Sequence, residues 1–236
     1  MAVHGGPNIV TDGLYTLLDA RDPASYPGSG TTWTDLSGNG KNATLSAAAI
    51  GTDVSGQMTF TSGNSEFATI SHDTNFAYTA TSNFTVSMWY MVTGTNSGFT
   101  WSKRAGSSTY IDAQHSAGDN TQNWGLKTSG GSDSLSSTAV IVDDGSVACN
   151  VAWVHEGSTD KIYLYVNGLL NVSATKSNAT SGNYGTSDIY IGKIINQEYI
   201  TGNIWSFIGY TKALSAKEAL QNFNAERSFF STAYGL

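Results

Sequence analysis

The stretch from Lys161 to Thr175, KIYLYVNGLLNVSAT, constrains this chain more than any other. Ile162, Leu164 and Val166 share one face of an extended strand while Tyr163 and Tyr165 share the other, the period of two that marks a half-buried strand. Asn167-Gly168 supplies the two positive φ angles of a type I′ turn, whose twist matches the strands on either side. Leu169–Ala174 then returns. The pattern predicts a β-hairpin, and the rest of the chain must say which sheet it joins.

Composition points to one large β domain. Charged residues make up only 12 %, glycines number 26, and Ser, Thr and Asn crowd the sequence, as short strands joined by tight turns require. With 39 % hydrophobic residues, 6 Trp and 12 Tyr, a core can be filled without disulfides. Turn signals recur about every ten residues, the spacing of a β-sandwich. NFTVSMWYMV reads as a central strand buried on both faces, with Phe84, Val86, Met88, Tyr90 and Val92 opposite Trp89 and Met91. GQMTFTSGNSEFATI reads as two strands joined at Ser-Gly-Asn. The looser, Ser- and Gly-rich stretch from Thr93 to Asp144 is expected to form long surface loops, with Lys103-Arg104 solvated among them.

One short C-terminal helix is signed by a Ser215–Glu218 capping box, a Leu214–Ala219 staple and a stripe of Leu220 and Phe223. The predicted organisation is an N-terminal arm over 1–11, one domain over 12–227 and a C-terminal tail over 228–236.

Several classes are excluded. A single cysteine, Cys149, rules out an internal disulfide framework, and its apolar neighbours predict a buried thiol. A net charge of −7 without clustered Lys and Arg argues against nucleic acid. The N-terminus shows neither the basic nor the apolar region of a signal peptide, and no apolar run reaches membrane-spanning length. Synthesis in a cytoplasm without export by the usual route, and no membrane partner, are the expectations. His155 is expected as a packed strand histidine.

Four ordered stretches, NFTVSMWYMV, NVAWVHEGSTDKIYLYVNGLL, SDIYIGK and GNIWSFIGYTKALSAKEALQNFNA, together resemble the concanavalin A-like, laminin G-type (LamG) jelly roll. The fold implied is an all-β sandwich with one short C-terminal helix, in which the hairpin is architecture. The opening IVTDGLYTLLDARDPASYPGSGTTWTDLSGNGKNATL resembles that of LamG-like structural proteins of tailed bacteriophages. This resemblance implies a non-enzymatic virion surface protein, either a capsid decoration or an appendage or tail-fibre module, made in the host cytoplasm. Its partners would be other virion proteins, with a homotrimer as one arrangement. The alternative is a carbohydrate-binding adhesion module for host-surface glycans.

The same jelly roll hosts retaining glucanases, which need paired carboxylates about 5–5.5 Å apart. Their Glu-x-Asp-x-x-Glu strand has no counterpart among Glu66, Glu156, Glu198, Glu218 and Glu226, and Asp143-Asp144 reads as a turn, so the expectation is no enzyme. No cofactor is expected; calcium is the one alternative, with Asp112 and Asp119 as ligands and Asp133, or Asp35 with Asn39, as further oxygen-rich positions. Trp101, Tyr110 and Trp124, set among Ser, Asn and Asp, are the candidate glycan-stacking residues.

Overall fold

The computed structural model describes residues 8–51, 56–93, 97–104, 106–138, 141, 145–195 and 198–234. The predicted hairpin is present in it. Strands Lys161–Val166 (β12) and Leu169–Thr175 (β13) pair antiparallel, closed by Asn167 and Gly168 at φ 49° and 76°. Asn167 also exchanges two hydrogen bonds with Asn150, its backbone N–H donating to Asn150 O and its Oδ1 accepting from Asn150 N–H. The turn is thereby fixed to the neighbouring strand Cys149–Glu156 (β11).

That strand leads into a seven-stranded sheet ordered β1-β15-β6-β11-β12-β13, where β1 is Leu14–Asp19, β6 is Asn83–Val92 and β15 is Gly202–Tyr210. Met58–Phe60 (β4) pairs with β15 beyond the end of β1. The second sheet has eight strands in the order β10-β9-β8-β7-β14-β5-β3-β2. These are Thr32–Trp33 (β2), Ala43–Leu45 (β3), Ala68–Ile70 (β5), Gly98–Arg104 (β7), Tyr110–Ser116 (β8), Thr121–Thr128 (β9), Gly131–Ser136 (β10) and Ile189–Ile191 (β14). All named pairs are antiparallel. The two strands read from GQMTFTSGNSEFATI do form, but as β4 and β5 in different sheets.

Three expectations need correction. The stretch after Thr93 is mostly strand: β7 to β10 form a meander, and β9 alternates inward Gln122, Trp124, Leu126 and Thr128 with outward partners. Lys103 is not in a solvated loop; it is fully buried in β7, and its Nζ donates to Ser187 O at 2.7 Å. The helix, Ala216–Tyr234 (α1), takes in much of the segment expected as a tail. Its buried stripe is Ala219, Asn222, Ala225, Glu226 and Phe230. Of the expected pair, Phe223 packs as predicted, stacking on Trp89 at 5.6 Å, while Leu220 lies beside the Gly168 turn and stays partly exposed. The capping box forms as predicted, Ser215 N–H donating to Glu218 Oε2 at 2.8 Å and Glu218 N–H to Ser215 Oγ at 3.4 Å. Of the expected N-terminal arm, Val10 is buried and its N–H donates to Asn222 Oδ1 on α1.

The main core lies between the sheets. Phe84, Val86, Met88, Val151, Trp153, Leu164 and Phe207 meet Trp33, Ile70, Trp101, Ile111, Trp124, Leu126 and Ile189 there. Part of the other face of the seven-stranded sheet is also covered. Trp89 stacks on Phe230 at 3.8 Å between ring centroids, and Trp205 meets the same ring edge-on at 5.2 Å. Strand β6 is therefore buried on both faces, as NFTVSMWYMV predicted. Cys149 is buried, and burial pushes its thiol up to about 12.

His155 is the packed strand histidine expected. Its Nδ1 lies 2.7 Å from Ser82 O, which can only accept, so Nδ1 carries the proton and Nε2 accepts from Tyr184 O–H at 3.0 Å. Burial holds the imidazole down to about 3, with Lys176 adding to the effect.

Two outcomes follow from this packing. Phe230→Ala is expected to cost about 3–5 kcal/mol in a denaturant titration; an unchanged midpoint would show α1 to be dispensable. His155 is neutral when folded but binds a proton below about pH 6.5 when unfolded. Its contribution to stability is therefore complete above pH 6.5 and declines as pH falls toward 3. Urea titrations from pH 7 to 4 should show that decline, and His155→Gln should flatten it.

Candidate functional site

Helix α1 covers the seven-stranded sheet around Trp89 and Trp205, leaving a smaller recess of about 260 Å³ beside Tyr163 and Tyr165, while the outer face of the eight-stranded sheet is open along its length. Strand register decides what stands on it. Direct cross-strand partners make one row: Ser134, Gly125, Asp112, Ser102, Tyr190, Thr69, Thr44 and Thr32, running from β10 to β2. Every member is polar except Gly125. Parallel rows place Ser136, Asn123 and Gln114 on one side and Ser132, Lys127, Tyr110 and Arg104 on the other.

Around Asp112 the surface dips into a recess of about 290 Å³ lined by Phe99, Tyr110, Gln114, Asn123, Gly125 and Ser134, among others. Gly125 keeps this floor low, since a Cβ there would stand 3.3 Å from Tyr110 Cε2. A second recess of about 520 Å³ adjoins it, sharing Phe99 and Gln114 and adding Arg104, Ser107 and Glu198. The segment after β14 lies across β7 between the halves of the face, with Ser102 Oγ donating to Lys193 O and Gly192 N–H to Thr100 O.

Asp112 is buried beneath Arg104, whose Nη1 donates to Asp112 Oδ2 at 2.6 Å. The guanidinium lies 4.4 Å from the Tyr110 ring centroid, and Lys127 Nζ approaches that ring at 6.0 Å. Asp112 Oδ1 is buried and has no hydrogen-bond partner among the described residues. Burial pushes the carboxyl up to about 6, outweighing the opposing pull of Arg104.

Of the predicted glycan-stacking residues, the structure leaves Tyr110 on the surface, half-buried. Trp101 and Trp124 are corrected: both are fully buried in the inter-sheet core, Trp101 edge-on to Trp153 at 5.9 Å. Neither offers a face to a ligand. The predicted calcium ligands are not brought together. Asp112 is held by Arg104 in mid-strand, while Asp119 is exposed in the β8–β9 turn. Among the described residues no three His, Cys, Asp or Glu side chains gather as a metal group. Asp35 and Asp133 act as loop clamps. Asp35 accepts the backbone N–H of Leu17, Ser37 and Lys41, with Asn39 Nδ2 donating to Tyr15 O nearby. Asp133 accepts those of Ser177, Asn178 and Ala179, which hold its carboxyl below the usual range despite burial. Asp143 and Asp144 lie outside the described residues.

Sequence reasoning missed an aromatic group on the same face. Phe67 and Tyr190 meet edge-on at 6.2 Å, Tyr199 lies 6.3 Å from Phe67, and all three are half-buried. For two of them the signal was available: in FATI and IYI, Phe67 and Tyr190 take the phase opposite to Ala68, Ile70, Ile189 and Ile191.

Two stacked antiparallel sheets, one outer face partly covered by a helix and the other polar and open, define a lectin-type sandwich. The chain belongs to the concanavalin A-like lectin/glucanases superfamily, whose laminin G type 3 family matches residues 61–219. No curated protein matches it. Among solved structures, it is similar to the binding domain of Paraclostridial Mosquitocidal Protein 1, with a TM-score of 0.71 and 17 % identity over 91 % of this chain and 52 % of that one. The chain thus spans about half the length of that relative. It is also similar to domain 4 of AbnA, a GH43 extracellular arabinanase from Geobacillus stearothermophilus in complex with arabinotriose. There the TM-score is 0.63 at 13 % identity, over 89 % and 98 % of the two chains. The Ruminococcus gnavus IT-sialidase CBM40 bound to α2,3-sialyllactose gives 0.54 at 14 % identity, over 70 % and 94 %. Identities this low show a shared fold alone.

The electrostatics of Asp112 can be read directly. A carbon-13 carboxyl titration should place its midpoint near 6, and Arg104→Ala should raise it further. A midpoint near 4 in the parent protein would mean the carboxylate is solvated.

Proposed function

We propose that this protein is a non-catalytic, lectin-like module that binds saccharide on the outer face of its eight-stranded sheet. One observation carries the reading: the register places rows of hydroxyl, amide, carboxylate and aromatic groups on the outer side of the eight-stranded sheet, in two halves divided where the segment after β14 covers Ser102. Sugars present many hydroxyls and a weakly polar ring face, so they are recognised by hydrogen bonds from fixed polar groups and by contact with aromatic rings. The face offers both, on strands held rigid from behind by the inter-sheet core. Two structural relatives with the same fold are described with oligosaccharides bound, arabinotriose and α2,3-sialyllactose, which supports the reading by analogy of architecture.

The setting we propose is the surface of a bacteriophage virion, as a capsid decoration or as an appendage or fibre module. Its support is the resemblance of the segment from Ile9 to Leu45 to the opening of tailed-phage LamG-like proteins. In that setting the partners are other virion proteins, and the open face is free to meet glycans of the host surface.

A glycan array followed by titration of the best ligands tests the first part. Saturable binding at millimolar concentrations or tighter is expected, and no binding at that level removes the lectin reading. Mass spectrometry of purified particles tests the second. Hundreds of copies per particle indicate decoration, a handful indicate a fibre, and absence from particles contradicts the virion setting.

A further inference from the structure

The chain carries 18 acidic residues against 11 basic ones, so acids are in ample supply for its partly buried cations. Most such cations take one. Arg21 lies between Asp19 and Glu226, Lys41 meets Asp73, Arg104 meets Asp112, and Lys212 meets Asp12 and Glu218. Lys193 departs from that pattern. Among the described residues no carboxylate forms a salt bridge with it.

Its ammonium is held by rings instead. Lys193 Nζ stands 3.4 Å from the Phe67 centroid and 4.4 Å from that of Tyr190. The quadrupole of each ring attracts the cation and fixes its position but brings no negative charge to it. Burial accordingly lowers the Lys193 pKa, and no acid opposes the shift. The result is a half-buried positive charge, positioned on two sides and unneutralised, on the outer face of the eight-stranded sheet. Lys127 repeats the arrangement more loosely over Tyr110 on the same face. The acid of the neighbouring recess, Glu198, is engaged toward β8, where its Oε2 accepts from Gln114 Nε2 at 3.4 Å. Thr69, the direct partner of Tyr190, and Thr44 beyond it place hydroxyls beside the rings.

We propose that Lys193, held by Phe67 and Tyr190, is a subsite for the anionic group of an acidic saccharide. The carboxylate or sulfate of the sugar meets the ammonium, its hydroxyls reach the outward threonines, and its ring lies along Tyr190. The inference rests on the lectin reading and narrows its ligand class. A charge-assisted contact of this kind is individually strong, because the ammonium is already positioned and partly stripped of water.

The test titrates the whole protein with three sets of oligosaccharides: neutral, carboxylated and sulfated. The parent protein should prefer an acidic set, with affinity falling as salt is raised, and the carboxylated and sulfated arms identify which anion is read. Lys193→Met keeps the aliphatic stem over the rings and removes the charge; it should weaken acidic-sugar binding about tenfold or more. Lys193→Arg should retain most of the affinity, which separates loss of charge from loss of fold, and unchanged thermal midpoints confirm that both variants are folded. Lys217→Met, on the exposed start of α1, should change nothing. Equal binding of acidic sugars by parent and Lys193→Met, or a parent preference for neutral sugars, overturns this inference and leaves the lectin reading standing. Absence of binding to every set overturns both.

Discussion

The contact between Trp101 of the eight-stranded sheet and Trp153 and Phe207 of the seven-stranded sheet is the junction on which the molecule depends. Its ring centroids lie 5.9 and 6.4 Å apart in edge-to-face geometry. Large rings at that position hold the sheets at the spacing a sandwich needs and exclude water between them. Strand alternation then dictates everything else. Each side chain sent inward leaves its neighbours on the outer side, so the inner demand for Trp101, Ile111, Trp124 and Leu126 puts Ser102, Asp112, Asn123 and Gly125 on the outer side of the sheet, Ser102 and Asp112 beneath the segment after β14 and Arg104. The polar outer surface is the complement of the core.

The two outer faces have different fates. On the seven-stranded sheet, Trp89 and Trp205 also point outward, and an exposed pair of indoles would be a liability. Helix α1 covers them with Phe230, anchored at its base by Arg21, which reaches Asp19 and Glu226 while lying 5.3 Å from the Phe230 ring. Among the described residues no helix covers the eight-stranded sheet in this way. Its outward residues are polar or charged, apart from the rings of Phe67, Phe99, Tyr110, Tyr190 and Tyr199, so the surface is stable in water and still able to grip a partly apolar ligand.

How much of this was legible depended on how cleanly each strand alternates. The β12–β13 hairpin, the central strand β6 and the capping box could be read directly, because their apolar phase is unbroken and their turn chemistry unambiguous. The meander β7–β10 could not. Its inward set includes Lys103, His115, Gln122 and Thr128, polar residues that interrupt the apolar period and make strands look like loops. Gln122 is tolerated there because Tyr90 O–H donates to its Oε1 at 2.8 Å across the core. The same misreading put Trp101 and Trp124 on the surface: within a presumed loop an indole among Ser and Asn suggests a ligand platform, whereas within a strand its phase sends it inward. The continuation of α1 was hidden for a related reason, since its buried stripe contains Asn222 and Glu226, whose burial depends on distant partners at Val10, Tyr210 and Arg21. Tyr190 was legible in IYI, where alternation alone turns it outward.

The central claim is that the open face of the eight-stranded sheet is where saccharide is held. Mapping amide chemical-shift changes on addition of a bound oligosaccharide measures this most directly. The account predicts that the perturbed amides cluster in β3, β5, β7, β8, β9 and β14 and in the segment after β14 that crosses β7. Shifts confined to α1 and the strands beneath it would contradict it.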